Sequence, residues 1–406
     1  MSHLHSNVFY YFRGPRSQVL DEQLENNTTK ALANVLQHSG TRVRRAFLQW
    51  LGVDADGSQL VIEIQRARPR GWLIQRASTR RLLLITGKGT DTTQPLQTTL
   101  TSPDASGIPD AWLCGKGFVV LVESKLGTNV DRQQIARYLA TLGEDIESVV
   151  WRTWDDIHDL LTRLDPDPDP VPSCTDQFLV RQLARYLEMI GQAKFVRFLR
   201  EHFEFFLNRD DPEVSEWVRS SLNDLGHQVC QNLGQPNFDV HVGALRRESE
   251  YAWVGIGPKG GISARPHLTI GMNSGGIEVC LTVDAGPART KLRRILAQRS
   301  NDLREEIAKL EEYEVRVMEK VKKQARLFEY HQVLSISCSH LTTESDPHAQ
   351  RFDWLAQEVQ SLRLPAFYVV RWFTLAETLK MGDETVAKVS DVARRLAPVI
   401  QLIDAA

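Results

Sequence analysis

Residues Ile108 to Gly127 read IPDAWLCGKGFVVLVESKLG. Apolar residues run up to a short CGKG turn and away from it again, as in a buried hairpin. Val119 to Val122 is apolar with no polar face, the pattern of a central strand covered on both sides. Yet Asp110 stands near one end, and Glu123 and Lys125 near the other. Pairing Leu113 with Phe118 across a four-residue turn sets Asp110 opposite Leu121. Because strand side chains alternate, Asp110, Leu121, Glu123 and Lys125 then share one face. A one-residue slip would send Asp110 to the other face, so this register is an expectation that the fold can overturn.

Two carboxylates held close together in a partly desolvated place repel each other by a few kcal/mol at an intermediate effective dielectric. A divalent cation removes that penalty, and hard oxygen ligands suit Mg2+ or Mn2+. The backbone carbonyl of Ser124, between Glu123 and Lys125, could supply a third ligand. Lys125 would orient a water or stabilise charge on a phosphate during transfer. The alternative reading of the triplet is a surface ion pair at a sheet edge.

With its surroundings, the triplet resembles the PD-(D/E)xK nuclease superfamily. Asp110 matches the first acid of that pattern, and Glu123 and Lys125 match its E-x-K, with twelve residues between Asp110 and Glu123. The helix-like ENNTTKALANVL upstream carries Glu25, in the place of a further acid on an opening helix. Downstream, QIARYL sets Gln134 and Tyr138 four apart, and VVWRTWDDIHDLL supplies a closing strand and helix. The likeness covers roughly residues 9 to 163, apart from extra strands between Gly52 and Thr101. It implies a restriction-endonuclease-like mixed sheet flanked by helices and phosphodiester hydrolysis with Mg2+ or Mn2+. Glu25, Asp110, Glu123, Lys125 and Gln134 would be catalytic, and Asp110, Glu123 and the Ser124 carbonyl would hold the metal. By the same resemblance the substrate is nucleic acid, DNA before RNA, and the setting is restriction or defence against mobile elements. A homodimer is a further expectation. The rival from another class is an inactive nuclease-like scaffold that binds nucleic acid or a partner protein.

Outward from the hairpin, the chain divides. The first 165 residues read as α/β, with a helix over about Asp21 to Gln37, the short strands LVIEI and RLLLIT, and a helix over about Asp131 to Leu142. Residues 166–175 form a linker, since the alternating Asp and Pro of LDPDPDPVPS suit neither helix nor central strand. Residues 176–235 are expected to be a helical segment, with one aromatic-rich helix from Asp176 to Leu207. Its phenylalanines lie among leucines at helical intervals, which favours core packing over base stacking. Residues 236–406 read as an α+β domain, in which alternating strands from Phe238 precede a charged helical stretch over about Ala288 to Leu327.

The chain has 406 residues, 42% of them hydrophobic and 25% charged, with net charge -2, so a nucleic-acid site must rest on local positive charge. Six arginines between Arg66 and Arg81, with no acid among them, supply one such patch, in what reads as a hairpin around Trp72. Arg66, Arg68 and Arg70 are the phosphate-contact candidates, against a solvated hairpin face; Arg13 and Arg16 form a weaker set. Five scattered cysteines, none in a CxxC pair, suggest neither a disulfide framework nor a thiolate zinc site. MSHLHSNVFYYFRGPR lacks a signal-peptide layout, and no apolar run is long enough for a membrane span, so a cytoplasmic protein is expected. GIGPKGGIS lacks the GK[ST] ending of a phosphate loop and reads as a hairpin turn.

Overall fold

The computed structural model describes residues 8–9, 19–69, 74, 76–93, 107–165, 174–207, 212–245, 249–259, 262–324, 327–341 and 347–406. Of the linker expected at 166–175, residues 166–173 lie outside them, as do Arg13, Arg16, Arg70 and Trp72, while Thr175 already begins a helix. The fold is of the α/β class, and the chain divides into two units, Met1–Lys194 and Phe195–Ala406.

In the first unit, α1 (Val19–His38) and α2 (Thr41–Trp50) precede β1 (Val61–Ile64), β2 (Thr79–Thr86), β3 (Ala111–Gly115) and β4 (Phe118–Ser124). Then come α3 (Arg132–Leu142), β5 (Val149–Thr153), α4 (Trp154–Leu164) and α5 (Thr175–Met189). The sheet order is β1-β3-β4-β2-β5. β3 runs antiparallel to β1 and β4, whereas β4, β2 and β5 are parallel. Every residue of β4 is buried, which accounts for its unbroken apolar run. One face carries Val120, Val122, Leu83 and Ile85 against α1, α2, α4 and α5. The other carries Val119, Leu121, Leu82 and Trp112 against α3.

The β3–β4 hairpin is tighter than the four-residue turn predicted. Gly115 pairs with Phe118, so the loop is Lys116 and Gly117 alone, and Gly117 takes φ +82°, where a side chain would be strained. This moves the pairing by two residues. Ala111 faces Val122 and Trp112 faces Leu121, so Leu121 is not the partner of Asp110, which lies in a bend just before β3. An even shift preserves the faces within the two strands, but Asp110 lies outside the ladder, and its carboxylate bonds the Ser124 hydroxyl rather than a group on the face of Glu123.

No hairpin joins β1 and β2. β1 is a partly exposed edge strand on β3, while β2 lies between β4 and β5. Leu82 to Ile85 are buried on both faces and demand that central position. The aromatic-rich stretch is not one helix either. α5 ends at Met189, and only a short helix, α6 (Arg200–Glu204), follows. Val180, Leu183, Tyr186 and Leu187 belong to the first unit's core, and α5 is tied there by a 2.9 Å contact from His158 to Glu188. The helical segment foreseen at 176–235 is therefore split between the two units. Most of its phenylalanines are nonetheless core residues: Phe195, Phe198, Phe203 and Phe206 are buried, whereas Phe178 is exposed.

The second unit continues with α7 (Pro212–Leu233), β6 (Phe238–Val242), β7 (Ala252–Pro258), β8 (His267–Asn273), β9 (Gly276–Val283), α8 (Gly286–Gln298) and α9 (Ser300–Ala308). β10 (Glu314–Gln324), β11 (Leu327–Ser337), α10 (Pro347–Ser361), β12 (Pro365–Thr374), α11 (Leu375–Met381) and α12 (Thr385–Asp404) complete it. Its antiparallel sheet has the order β11-β10-β12-β9-β8-β7-β6. The charged stretch expected to be helical to Leu327 becomes strand from Glu314. Val315 and Val317 are buried between the partly exposed Glu314, Arg316 and Met318, the period of two of a strand. Among the described residues, no helix is long and apolar enough to cross a membrane.

Candidate active site

Three elements meet where β4 ends. β4 delivers Glu123 and Ser124 on opposite faces of the sheet, with Lys125 just beyond. From one side α1 brings Glu25 and Thr29, four residues apart and so on one helix face. From the other, α3 brings Gln134 and Tyr138 with the same spacing. The Asp131 carboxylate caps α3 by accepting from the backbone N–H groups of Gln133 and Gln134 at 2.9 and 3.2 Å, which fixes where the helix starts.

Glu123 is only 3% exposed. Its Oε1 accepts from Gln134 Nε2 at 2.8 Å and lies 2.9 Å from Lys125 Nζ; its Oε2 accepts from the Tyr138 hydroxyl at 3.0 Å. Asp110 takes two bonds on Oδ2, from the Ser124 N–H at 2.8 Å and the Ser124 hydroxyl at 3.0 Å, leaving Oδ1 outside them. The Ser124 hydroxyl also meets that of Thr29. Lys125 Nζ donates to Glu25 Oε1 at 2.8 Å, while Glu25 Oε2 accepts from the Leu126 N–H at 3.2 Å. The structure thus brings together Glu25, Asp110, Glu123, Lys125 and Gln134.

Burial, above all, pushes the Glu123 carboxyl above its usual range, and the Asp110 charge adds to the rise. Asp110 is likewise raised by burial, against the opposing Ser124 bonds. Burial on its own would lower the Lys125 ammonium, but Glu25 and Glu123 outweigh it and raise it well above the ordinary lysine value. Lys125 therefore stays protonated and serves as a donor. Burial and the Glu123 charge keep Tyr138 a phenol, also a donor.

No protein-family model matches this chain, and no curated protein matches it. What the site can do rests on its own chemistry. The donor set fits a hard divalent cation, being all oxygen and centred on the buried Glu123 and the partly buried Asp110, whose charge adds to the rise of Glu123. Carboxylate oxygens have lone pairs beyond the bonds described. Among the described residues, no three His, Cys, Asp or Glu side chains form a ready-made group for a metal. Further ligands would come from the Ser124 carbonyl, water or substrate, as magnesium sites commonly arrange.

Arg66 and Arg68 are exposed. Arg66 directly follows Gln65, whose N–H donates to the Asp110 carbonyl at 3.0 Å, and Trp112 Nε1 donates to the Arg66 carbonyl at 2.9 Å. Those bonds hold the arginine segment beside β3. Arg80, in β2, instead bonds the Leu142 carbonyl at the end of α3.

Sequence reasoning missed the support beneath the Lys125 loop. Gly87, just after β2, donates its N–H to Gly127 O at 2.9 Å, and a Cβ at Gly87 would collide with Leu126 O, so only glycine fits. Gln192 donates to Leu126 O at 3.3 Å and accepts from Lys88 N at 3.3 Å. Lys88 Nζ donates to Ala193 O at 3.2 Å. Lys194 anchors to the buried Asp155 through its N–H at 2.6 Å and its ammonium at 2.9 Å. This strap, residues 192–194, lies some 66 residues along the chain from Leu126, and no local pattern announces it.

Proposed function

We propose that the first unit is a metal-dependent nuclease of the PD-(D/E)xK type, hydrolysing nucleic-acid phosphodiesters with Mg2+ or Mn2+, DNA in preference to RNA. The observation that carries the reading is the cluster where β4 ends: Asp110, just before β3, bonded to Ser124, beside Glu123, with Lys125 fixed between Glu25 and Glu123. Asp110, Glu123 and the Ser124 carbonyl would hold the cation. A divalent cation there supplies Lewis-acid activation of water and neutralises charge on the phosphoryl oxygens. Lys125, kept protonated, donates to the attacking water or to the phosphate. Gln134 and Tyr138 hold the Glu123 carboxylate in one orientation, and Glu25 holds both Lys125 and the Leu126 amide. A role in restriction or defence against mobile elements, with the second unit supplying recognition or control, is proposed by fold analogy.

The deciding experiment offers the full chain labelled duplex DNA, single-stranded DNA and RNA with Mg2+ or Mn2+. Cutting that requires the metal supports the reading. Metal or nucleic-acid binding without cutting on any substrate would replace it with the scaffold role. Lys125→Ala should bind metal as well as the parent does, yet lose turnover by about a hundredfold, the cost of removing one transition-state donor. Calorimetry showing metal affinity lost together with Lys125 would refute that division of roles.

Arg66 and Arg68 would contact phosphates flanking the cut. Replacing both with alanine should lower the slope of log affinity against log salt by about one unit for each phosphate no longer engaged. An unchanged slope would return them to a solvated surface.

A further inference from the structure

Within the second unit, a cleft of about 500 Å3 opens between the start of β10, the end of β12 and the first turns of α12. Its size falls within the roughly 300–1,000 Å3 typical of small-molecule sites. Phe373 and Val392 give it an apolar lining. Tyr313 also lines it and is 4% exposed; its hydroxyl is buried and makes no hydrogen bond among the described residues. An orphaned buried hydroxyl costs stability that a bound acceptor would restore.

The charges around the cleft balance in number but not in depth. The Arg371 guanidinium lies 5.0 Å from the centre of the Phe373 ring, with its side chain 25% exposed. Its acidic partner Glu312, 3.3 Å away, is 67% exposed. Asp391, 3.0 Å from Arg395, is likewise at the surface. Ion pairs with such exposed acids are weak and exchange readily with solvent. The innermost charge is therefore a cation, held on an aromatic ring, whose carboxylate partner a ligand can replace. Tyr313 lies within the electrostatic reach of Arg371 and Arg395 and of their exposed partners Glu312 and Asp391.

We propose that this cleft binds a small ligand with a flat apolar body and one anionic group, a phosphate or a carboxylate. The anion takes the place of Glu312 on Arg371 and accepts from the Tyr313 hydroxyl, while the apolar body lies on Phe373 and Val392. The site needs nothing from the first unit and stands whether or not that unit cuts nucleic acid.

Calorimetry on the full chain with phenyl phosphate, benzoate and benzylamine tests it. The expected result is saturable binding of an aromatic anion and none of benzylamine, with the two anions telling phosphate from carboxylate. Arg371→Gln should weaken the anion at least about tenfold, the scale of a hydrogen bond to a charged group. Tyr313→Phe should weaken it about tenfold, while the ligand-free protein melts no lower than the parent. Arg395→Gln, at the exposed rim, gives a second reading should Arg371→Gln fail to fold, and should also weaken binding. The proposal is overturned if neither anion binds, if benzylamine binds equally well, or if the folded arginine variants keep the parent affinity.

Discussion

Asp110→Asn and Glu123→Gln should each abolish metal-dependent cleavage, and Asp110→Asn should leave a protein at least as heat-stable as the parent. Loss of a group that merely supports a metal ligand commonly costs 10- to roughly 100-fold, so removal of a ligand charge should cost about a hundredfold or more. The stability expectation follows from burial. Both carboxyls are raised in the fold, chiefly by desolvation, so each ionised form is a penalty carried by the native state. The amide that replaces the Asp110 carboxyl can still accept from Ser124, and it carries no charge. For Asp110, below its ordinary value of 3.8 both forms are neutral and the variant gains nothing. As pH rises from there through the raised folded value, the parent acquires the penalty, and the melting temperatures of Asp110→Asn and parent should separate. Above that window the gap is constant. Undiminished manganese-dependent cutting by either variant removes that residue from the metal site. An Asp110→Asn protein that melts well below the parent at neutral pH would show the carboxylate to be structural instead.

Cutting the chain at Asp165 should give an aggregating fragment, whereas ending it at Lys194 should give a folded one that binds metal. The shorter piece keeps every proposed catalytic residue but loses α5. Val180, Leu183, Tyr186 and Leu187 are almost fully buried in the core shared with α1 and α4. Burying a residue of that kind contributes about 1.5–3 kcal/mol, so the loss is on the order of the 5–15 kcal/mol that keeps a domain folded. It also uncovers Leu160 and Leu161. Solubility, circular dichroism and manganese titration of the two fragments decide the matter. A soluble, cooperatively melting Met1–Asp165 would mean that α5 is an accessory rather than part of this fold.

What the sequence made legible follows a physical divide. Glu123, Lys125, Gln134 and Tyr138 lie within sixteen residues of one another, so strand alternation and helix spacing suffice to bring them together. Asp110 reaches the site from a bend before β3, bonded to Ser124, and strand alternation does not extend to a residue outside the ladder. Glu25 required the resemblance, since nothing local says where α1 docks. The burial of Phe47 and Leu48 in α2 has no equally plain signal in the residues around it. Nor do Gln192 and Gly87 have one, since their roles are backbone contacts across long stretches of chain. The arginine hairpin failed for a related reason: which strands are neighbours depends on the whole sheet, and β2 belongs in its centre.

The strap at 192–194 has a mechanical consequence. Gln192 grips the carbonyl of Leu126, one residue beyond Lys125, and only Ala193 and Lys194 separate it from Phe195, where the second unit begins. Two residues beyond Gln192, Lys194 is held to Asp155 by its N–H and its ammonium. The loop that presents the ammonium is thereby on a short leash, fixed at both ends within the first unit.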